Sequence, residues 1–376
     1  MVRPRLAIAT ALARSASWAS RLLGNNGETL PGRILLRIEP EAIALLARGK
    51  KVILVSGTNG KTSTTKAVAK IVRQLGEVAT SGSGSNLSWG AANALMAKAP
   101  YAVLEIDELH LSHIIAETDP AIVLLLNLTR DQLHRMHEVK RVADRWHAEC
   151  TEATDTLFVA DIDDPFLNYA IANAKKVLKV SFGGRTHPDG AVCPKCGSYL
   201  HWDEEKYSCT CGLTNNSTDQ PVRLCEKGSA AFRNATLANI VGEVLGAKPL
   251  AFTDGELERT VTKTFGSKIA HFRLTKNPAS WTEALKAKHF TDVILVLNAR
   301  EVDGIDTSWL WDVSFISLAG KRVIVCGERG IDLAYRLHVE GIESQLVETF
   351  AAAILLTKDN EVSVLTAYTA FFELVM

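Results

Sequence analysis

Apolar positions along this chain fall into two alternating kinds of run. Short β-rich stretches recur, first Lys51 to Ser56 (KVILVS), then 102–106, 122–126, 157–159 and 177–182. Segments with helical periodicity lie between and after them, at 62–75, 93–98, 141–151 and 165–174. Runs that are apolar throughout suit strands covered on both faces, and their alternation with helices predicts a mostly parallel sheet. The pattern stops between Pro188 and Pro221, where Gly, Cys, Asn and Thr dominate, so this stretch reads as a small insertion. A helix at 235–245 returns the chain to the main domain. A second series follows, with strands at 292–297, 322–326 and 363–366 and helices at 331–337 and 347–356. The expected division is a helical segment at 1–50, a central α/β domain at 51–249 carrying the insertion at 188–221, and a smaller α/β C-terminal domain at 268–376.

Composition adds limits. Among 376 residues, Lys plus Arg and Asp plus Glu are 42 each, so no global charge draws the chain to nucleic acid. No apolar run approaches the roughly 18 residues a membrane-crossing helix needs. Arg3, Arg5 and the stretch 6–13 imitate a weak signal peptide, but Arg14 and Arg21 interrupt it. A cytoplasmic N-terminal helix is therefore expected, with a signal peptide as the alternative. Seven cysteines, four of them within nineteen residues, point to a metal site and scattered thiols in a reducing compartment rather than a disulfide framework.

The chemistry starts after the first strand. Gly57, Thr58, Asn59, Gly60, Lys61, Thr62 and Ser63 form a glycine loop that opens a helix. Glycines let such a loop turn its amides inward on phosphate oxygens, the lysine adds a cation, and the threonine hydroxyl suits Mg²⁺. A full P-loop pattern would place Gly at 55, where this chain has Val55. Acids follow the next strand, in Leu104-Glu105-Ile106-Asp107-Glu108, at the strand end where ligands of open α/β sheets bind. Asn127 to His134 (NLTRDQLH) follows a third strand, and Asp163-Asp164-Pro165 a fourth. Cys193, Cys196, Cys209 and Cys211 form two close pairs, which suit a closed, structural Zn²⁺ site of the ribbon type. In the C-terminal half, Lys276-Asn277-Pro278-Ala279 precedes Trp281, and Asp303-Gly304-Ile305-Asp306-Thr307-Ser308-Trp309-Leu310-Trp311-Asp312 concentrates acids and tryptophans after a strand.

The loop G-T-N-G-K-T-S-T-T resembles that of the Mur ligases and folylpolyglutamate synthetases, in which the first P-loop glycine is also missing. The segment at 127–135 resembles a Mur ligase signature, with His134 where the family has Asp. Together with the four-cysteine ribbon, K-N-P-A and D-G-x-D-x-S-W-x-W-D, the chain resembles the MurT family, synthetase subunits of lipid II isoglutaminyl synthase. The resemblance runs from about Pro31 to Thr369. It implies a Mur-ligase central domain, a Rossmann-like C-terminal domain, and an ATP-dependent carbon–nitrogen ligase using ATP, Mg²⁺ and structural Zn²⁺. The reaction implied is amidation of the D-glutamate α-carboxylate of lipid II to D-isoglutamine through an acyl phosphate. Ammonia would come from a GatD-type glutaminase partner, at the inner face of the membrane.

By the same resemblance, Glu105 or Glu108 holds Mg²⁺, with Glu108 favoured, alongside Thr62. Asn234 touches the nucleotide, and Lys61 and Glu108 act in catalysis. Asp306, ahead of Asp303 and Asp312, completes the partner's catalytic triad. The chain differs from the family at Ala231, in a short 250–272 segment where the family's Gly-Arg element is not found, and in a short stretch after Tyr368. Two other readings stay open: a Mur-type amino-acid ligase, and a weakly catalytic subunit that mainly completes the partner glutaminase.

Overall fold

The computed structural model describes residues 4–22, 29–81, 85–131, 139–216, 221–257, 260–300 and 303–375. It divides into two compact units, one of residues 1–128 and 139–257, the other of residues 129–138 and 258–376. The second unit thus starts ahead of residue 268, and it takes in a short piece of chain from within the expected central domain.

The first unit holds strands β1 (Lys51–Ser56), β2 (Val78–Thr80), β3 (Tyr101–Glu105), β4 (Ile122–Leu125), β5 (Leu157–Asp161), β6 (Lys176–Ser181), β7 (His201–Asp203), β8 (Lys206–Ser208) and β9 (Val222–Leu224). Seven of these form one sheet in the order β2-β3-β1-β4-β5-β6-β9, parallel at every pairing. Ile53, Val55, Val103, Leu124 and Val159 on these strands are buried against Val68, Ile71, Ile240 and Val241 from the helices Lys61–Val72 and Ala230–Leu245. Strand β1 lies between β3 and β4, so the chain leaves it in opposite directions at the middle of the sheet. The segments after β1, β3 and β4 therefore converge at one edge, the usual ligand position of such sheets.

At the N-terminus, the helix Pro4–Leu22 packs on the helix Thr29–Ile38, burying Ala9, Ala13 and Leu35. That second helix lies so close to the helix Ser88–Leu95 that a Cβ at Gly32 would sit 1.8 Å from the Trp89 carbonyl oxygen. The contact explains why the helix predicted for 93–98 instead spans Ser88–Leu95 despite Gly90: packing offsets a poor local propensity. Strands β7 and β8 form a separate antiparallel hairpin inside the expected insertion.

The second unit has β10 (Thr260–Phe265), β11 (Lys268–Leu274), β12 (Asp292–Val296), β13 (Arg322–Cys326), β14 (Ser344–Leu346) and β15 (Glu361–Thr366), in the order β10-β11-β15-β12-β13-β14. All pairings are parallel except β10 with β11. The stretch that reads as a shortened 250–272 segment is thus largely a β-hairpin turning at Gly266 and Ser267, with β11 paired to β15. Its face alternates, Thr260, Thr262 and Thr264 being more exposed than Val261, Lys263 and Phe265, as a half-buried edge strand requires.

Candidate functional site

The loop after β1 is fixed from several sides. Gly60 has φ +84 and caps the helix Lys61–Val72, a left-handed geometry that favours glycine. A Cβ on Gly60 would lie 2.2 Å from Asn234 Nδ2, so Asn234 packs directly on the loop. A Cβ on Gly57 would meet the Asn127 backbone at 2.9 Å. Asn127 clamps the loop: its carbonyl accepts from the Thr58 amide (2.9 Å), its side-chain oxygen accepts from the Asn59 amide (3.0 Å), and its Nδ2 donates to the Asn59 carbonyl (2.8 Å). Amides of the first turn of the following helix, from Lys61 through Ser63, have no acceptor within the helix, and the helix dipole adds positive potential there.

Two carboxylates reach this loop. Lys61 Nζ is buried, donates to the carbonyls of Gly57 (2.6 Å) and Thr58 (3.3 Å), and pairs with Glu108 Oε2 at 2.8 Å. The Thr62 hydroxyl donates to Glu105 Oε1 at 3.0 Å. Both acids come from the end of β3, which pairs with β1 in the register Val55 to Glu105. The structure thus brings Lys61, Thr62, Glu105, Glu108, Asn127 and Asn234 together. The sequence offered Glu105 and Glu108 as alternatives; they occupy different places, one at the threonine and one at the lysine. A hydroxyl and two carboxylates are a hard-oxygen set of the kind Mg²⁺ takes.

Asp164 serves the framework. Its side chain caps the helix Pro165–Ala170 by accepting from the amides of Phe166 and Leu167, and its second oxygen accepts from the Leu128 amide at 2.9 Å, just beyond Asn127. Burial pushes the Asp164 carboxyl up, but His187, Arg185 and the Leu128 amide together hold it below its ordinary value. Asp161, fully buried at the end of β5, is pushed up to about 6 by burial and by Asp163, against the pull of Arg185. Asp163 accepts from Ser181 Oγ, the amides of Phe182 and Gly184, and Asn215 Nδ2, tying the strand ends to the insertion. Ala231, three residues before Asn234, is buried in the core. Gln132, Leu133, His134 and Arg135 lie outside the described residues.

The four-cysteine ribbon is assembled. The Sγ atoms of Cys193, Cys196, Cys209 and Cys211 all lie within 4.8 Å of one another. The Cys193–Cys211 and Cys196–Cys209 separations are 3.7 and 3.4 Å, close to the about 3.8 Å edge of a tetrahedron with Zn–S bonds of about 2.3 Å. Each pair ends in a tight turn, with the Gly197 amide donating to the Cys193 carbonyl and the Gly212 amide to the Cys209 carbonyl, both at 2.9 Å. Leu200, Tyr207 and Leu213 form a small core behind the thiols. The Tyr207 hydroxyl donates to the Ile162 carbonyl and accepts from Asn168, seating the ribbon on the end of β5.

In the second unit, Asn277 caps the helix Pro278–Lys286 in a capping box with Ser280. Lys276 pairs with Asp131 at 2.9 Å, and Trp281 is buried in the core. The K-N-P-A element is therefore a helix start held by Asp131. The three acids of the 303–312 loop separate clearly. Asp303 is buried and accepts from the amides of Thr369 (2.7 Å) and Arg300 (3.1 Å) and from the Thr369 hydroxyl (2.5 Å). Asp312 pairs with Arg130 at 2.9 Å. Asp306 is exposed and its Oδ1 accepts from the Ser308 amide at 2.8 Å, a turn that fixes its direction.

This geometry can be set beside known proteins. The Mur ligase middle domain matches residues 55–219, and the MurT ligase C-terminal domain matches residues 274–371. The chain carries a Mur ligase middle domain and a MurT-type C-terminal domain. It is 28% identical to the MurT subunit of lipid II isoglutaminyl synthase (glutamine-hydrolyzing) of Streptococcus pneumoniae, over 96% of this chain and 94% of that one. Among solved structures, a pseudomurein peptide ligase type C of Methanothermus fervidus has the same fold, with a TM-score of 0.62 at 17% identity over 85% of this chain and 76% of the other. A MurF ligase of Thermotoga maritima, solved in complex with ADP, matches with a TM-score of 0.54 at 16% identity over 90% and 81%. The MurT-type match ends at residue 371 and includes the whole 303–312 loop. Among the described residues no helix is long and apolar enough to cross a membrane.

Proposed function

We propose that this MurT-type chain is the synthetase subunit of an amidating ligase, converting the D-glutamate α-carboxylate of lipid II to D-isoglutamine with ATP and with ammonia from a glutaminase partner. The observation that carries the reading is the β1 loop, whose lysine and threonine are each held by a carboxylate from β3, in a chain with a MurT-type C-terminal domain. A carboxylate oxygen of the substrate attacks the γ-phosphorus of ATP and ADP leaves, giving an acyl phosphate. Ammonia then adds to the acyl carbon, a proton is lost, and phosphate departs, leaving the amide. Lys61 sits where it would offset charge on the transferring phosphoryl group. Gly57 through Ser63 cradle the phosphates, and Asn234 borders the loop. Mg²⁺ at Thr62, with Glu105 at its hydroxyl and Glu108 at Lys61 as the carboxylates in reach, would neutralise phosphate oxygens. Zn²⁺ on Cys193, Cys196, Cys209 and Cys211 would have no open coordination position, so its role is to hold the ribbon.

For the partner, a GatD-type glutaminase, the second unit offers Asp306 on an outward turn. Ile305 and Trp311 of the same loop are 61% and 56% exposed. An aromatic and an aliphatic anchor around a directed carboxylate suit a protein interface. Asp306 would orient the partner's histidine as the acid of a triad does. The lipid-borne substrate places the work at the cytoplasmic membrane face.

The test is amidation of lipid II by the purified chain with and without the partner, driven by glutamine or by ammonium, with products identified by mass. Wild type should amidate in both modes with the partner present, and Lys61→Ala in neither. A product carrying an added amino acid, or intact partner activation without ATP turnover, overturns the reading.

A further inference from the structure

The N-terminal helix Pro4–Leu22 buries one face on its neighbour through Ala9 and Ala13, and leaves the opposite face uncovered. On that face Ile8 is 58% exposed, Leu12 50% and Trp18 68%. Ala11, Ser15 and Ala19 are exposed between them. Positions 8, 11, 12, 15, 18 and 19 follow helical spacing, so this is a continuous apolar stripe rather than scattered residues. Burial within the first unit cannot explain large apolar side chains held in this arrangement.

Charge says what the stripe meets. Residues 1–37 contain six arginines (Arg3, Arg5, Arg14, Arg21, Arg33 and Arg37) against one acid, Glu28, in a chain whose total charges balance. Arg5 and Arg14 are exposed, and their guanidinium groups donate to the carbonyls of Ile38 and Met96, at 2.5 and 3.2 Å. Those bonds hold them to the body of the unit while leaving the charge at the surface. Arg33 and Arg37 are exposed on the adjoining helix. An apolar stripe with a bulky indole, bordered by cations and free of acids, fits a surface that is apolar beneath and anionic on top. The helix does not qualify as a membrane-crossing one.

We propose that the helix Pro4–Leu22 docks the chain on an anionic lipid bilayer, lying in the interface with Ile8, Leu12 and Trp18 inserted. The proposal rests on the proposed function only for placing the chain near a bilayer. It adds a contact made by the protein itself rather than through its substrate.

The test is flotation of the full chain with vesicles containing no peptidoglycan precursor, made either of equal parts phosphatidylglycerol and phosphatidylcholine or of phosphatidylcholine alone. Wild type is expected to float with the anionic vesicles and to bind the neutral ones about tenfold more weakly. The variant Ile8→Ser/Leu12→Ser/Trp18→Ser should lose at least about tenfold in affinity, with the single Trp18→Ser variant between the two. Leu355→Ser, which removes a still more exposed apolar side chain from the second unit, should bind like wild type. Matching far-ultraviolet circular dichroism and melting temperatures verify that the variants are folded. Three results overturn the proposal: no flotation of wild type, equal binding by the triple variant, or self-association in sedimentation that the triple substitution abolishes, which would assign the stripe to a second copy. Because the vesicles carry no substrate, docking can fail while amidation stands, and amidation can fail while docking stands.

Discussion

At the phosphate-loop edge of the first unit, each acid that points at the loop is buried and already answered from within the unit. Glu108 has Lys61, Glu105 has Thr62, and Asp164 has three backbone amides. In the 303–312 loop of the second unit only Asp303 is treated that way. Asp306 is exposed, as are Ile305 and Trp311 of the same loop. Buried groups held by neighbours of the same unit make a site whose geometry the chain sets. An exposed carboxylate in a loop with exposed apolar side chains is open to a second surface. The proposed function uses the difference, giving the first region the chain's own chemistry and the second a contact with the partner.

The comparison is attacked most strongly at Lys61. Lys61→Ala removes the cation at the phosphates and leaves Glu108 buried beside the loop without its partner. ATP-dependent amidation should fall at least about 10³-fold, in the ammonium-driven reaction as much as in the glutamine-driven one. Steady-state rates in the two modes check this, and survival of the ammonium-driven rate would break the assignment. On the proposed reading, in which a glutaminase partner is met by the second unit, activation of that partner should survive.

The next effect concerns pH. Asp161 lies with the acids of the first region and is raised to about 6 by burial. Because its folded value exceeds the unfolded value, the folded state binds the extra proton between about pH 4 and 6. Its contribution to stability is therefore present at low pH and lost as pH rises through that window. Relative to Asp161→Asn, which does not titrate, wild type should lose up to about 3 kcal/mol between pH 4 and pH 7. Urea denaturation of both proteins across that range measures it. A flat difference would mean that Arg185 keeps Asp161 ionised throughout.

Asp306→Asn sharpens the other side. The glutamine-driven reaction should drop about 10²-fold, while the ammonium-driven reaction stays within about twofold and the melting temperature is unchanged. Comparable loss in both modes would remove Asp306 from the partner's triad and point instead to a role in this chain's own fold or chemistry.

Much of the first region could be read in advance because its signals are local. Gly60-Lys61-Thr62 after an apolar run, and four cysteines in two close pairs, are each complete within a few residues. What the sequence left open was set by strand register. Glu105 and Glu108 looked like alternatives until β3 was paired with β1, which gives each a separate partner. Asn127 was recognised only by resemblance, and its grip on Thr58 and Asn59 depends on β4 lying next to β1. The β10–β11 hairpin is marked only by the alternation of Thr260 to Phe265 and the turn at Gly266 and Ser267, a weaker signal than the length of the 250–272 segment. The helix at Ser88 was placed late because Gly90 weakens the local signal and only the close approach of Gly32 reveals the reason. In the acidic loop, spacing alone could not rank the three aspartates, since burial and partners distinguish them and both come from distant chain.

The smallest effect tests that ranking. Asp303 and Asp306 lie three residues apart and carry the same side chain, so any difference between them comes from surroundings. Asp303 joins the start of its loop to the last helix by three hydrogen bonds, from the Thr369 amide, the Thr369 hydroxyl and the Arg300 amide. Removing a buried, charged acceptor strands those donors, so Asp303→Ala should destabilise the second unit by about 2 kcal/mol. Asp306→Ala, at an exposed position, should cost less by the same denaturation curve. The catalytic consequences should run the other way. Asp303→Ala should retain much of its glutamine-driven rate below its melting temperature, because the outward turn at Asp306 is closed locally by the Ser308 amide. If the two substitutions gave the same stability loss and the same rate loss, the distinction between an acid used inside the fold and one presented to a partner would fail at its closest point of comparison.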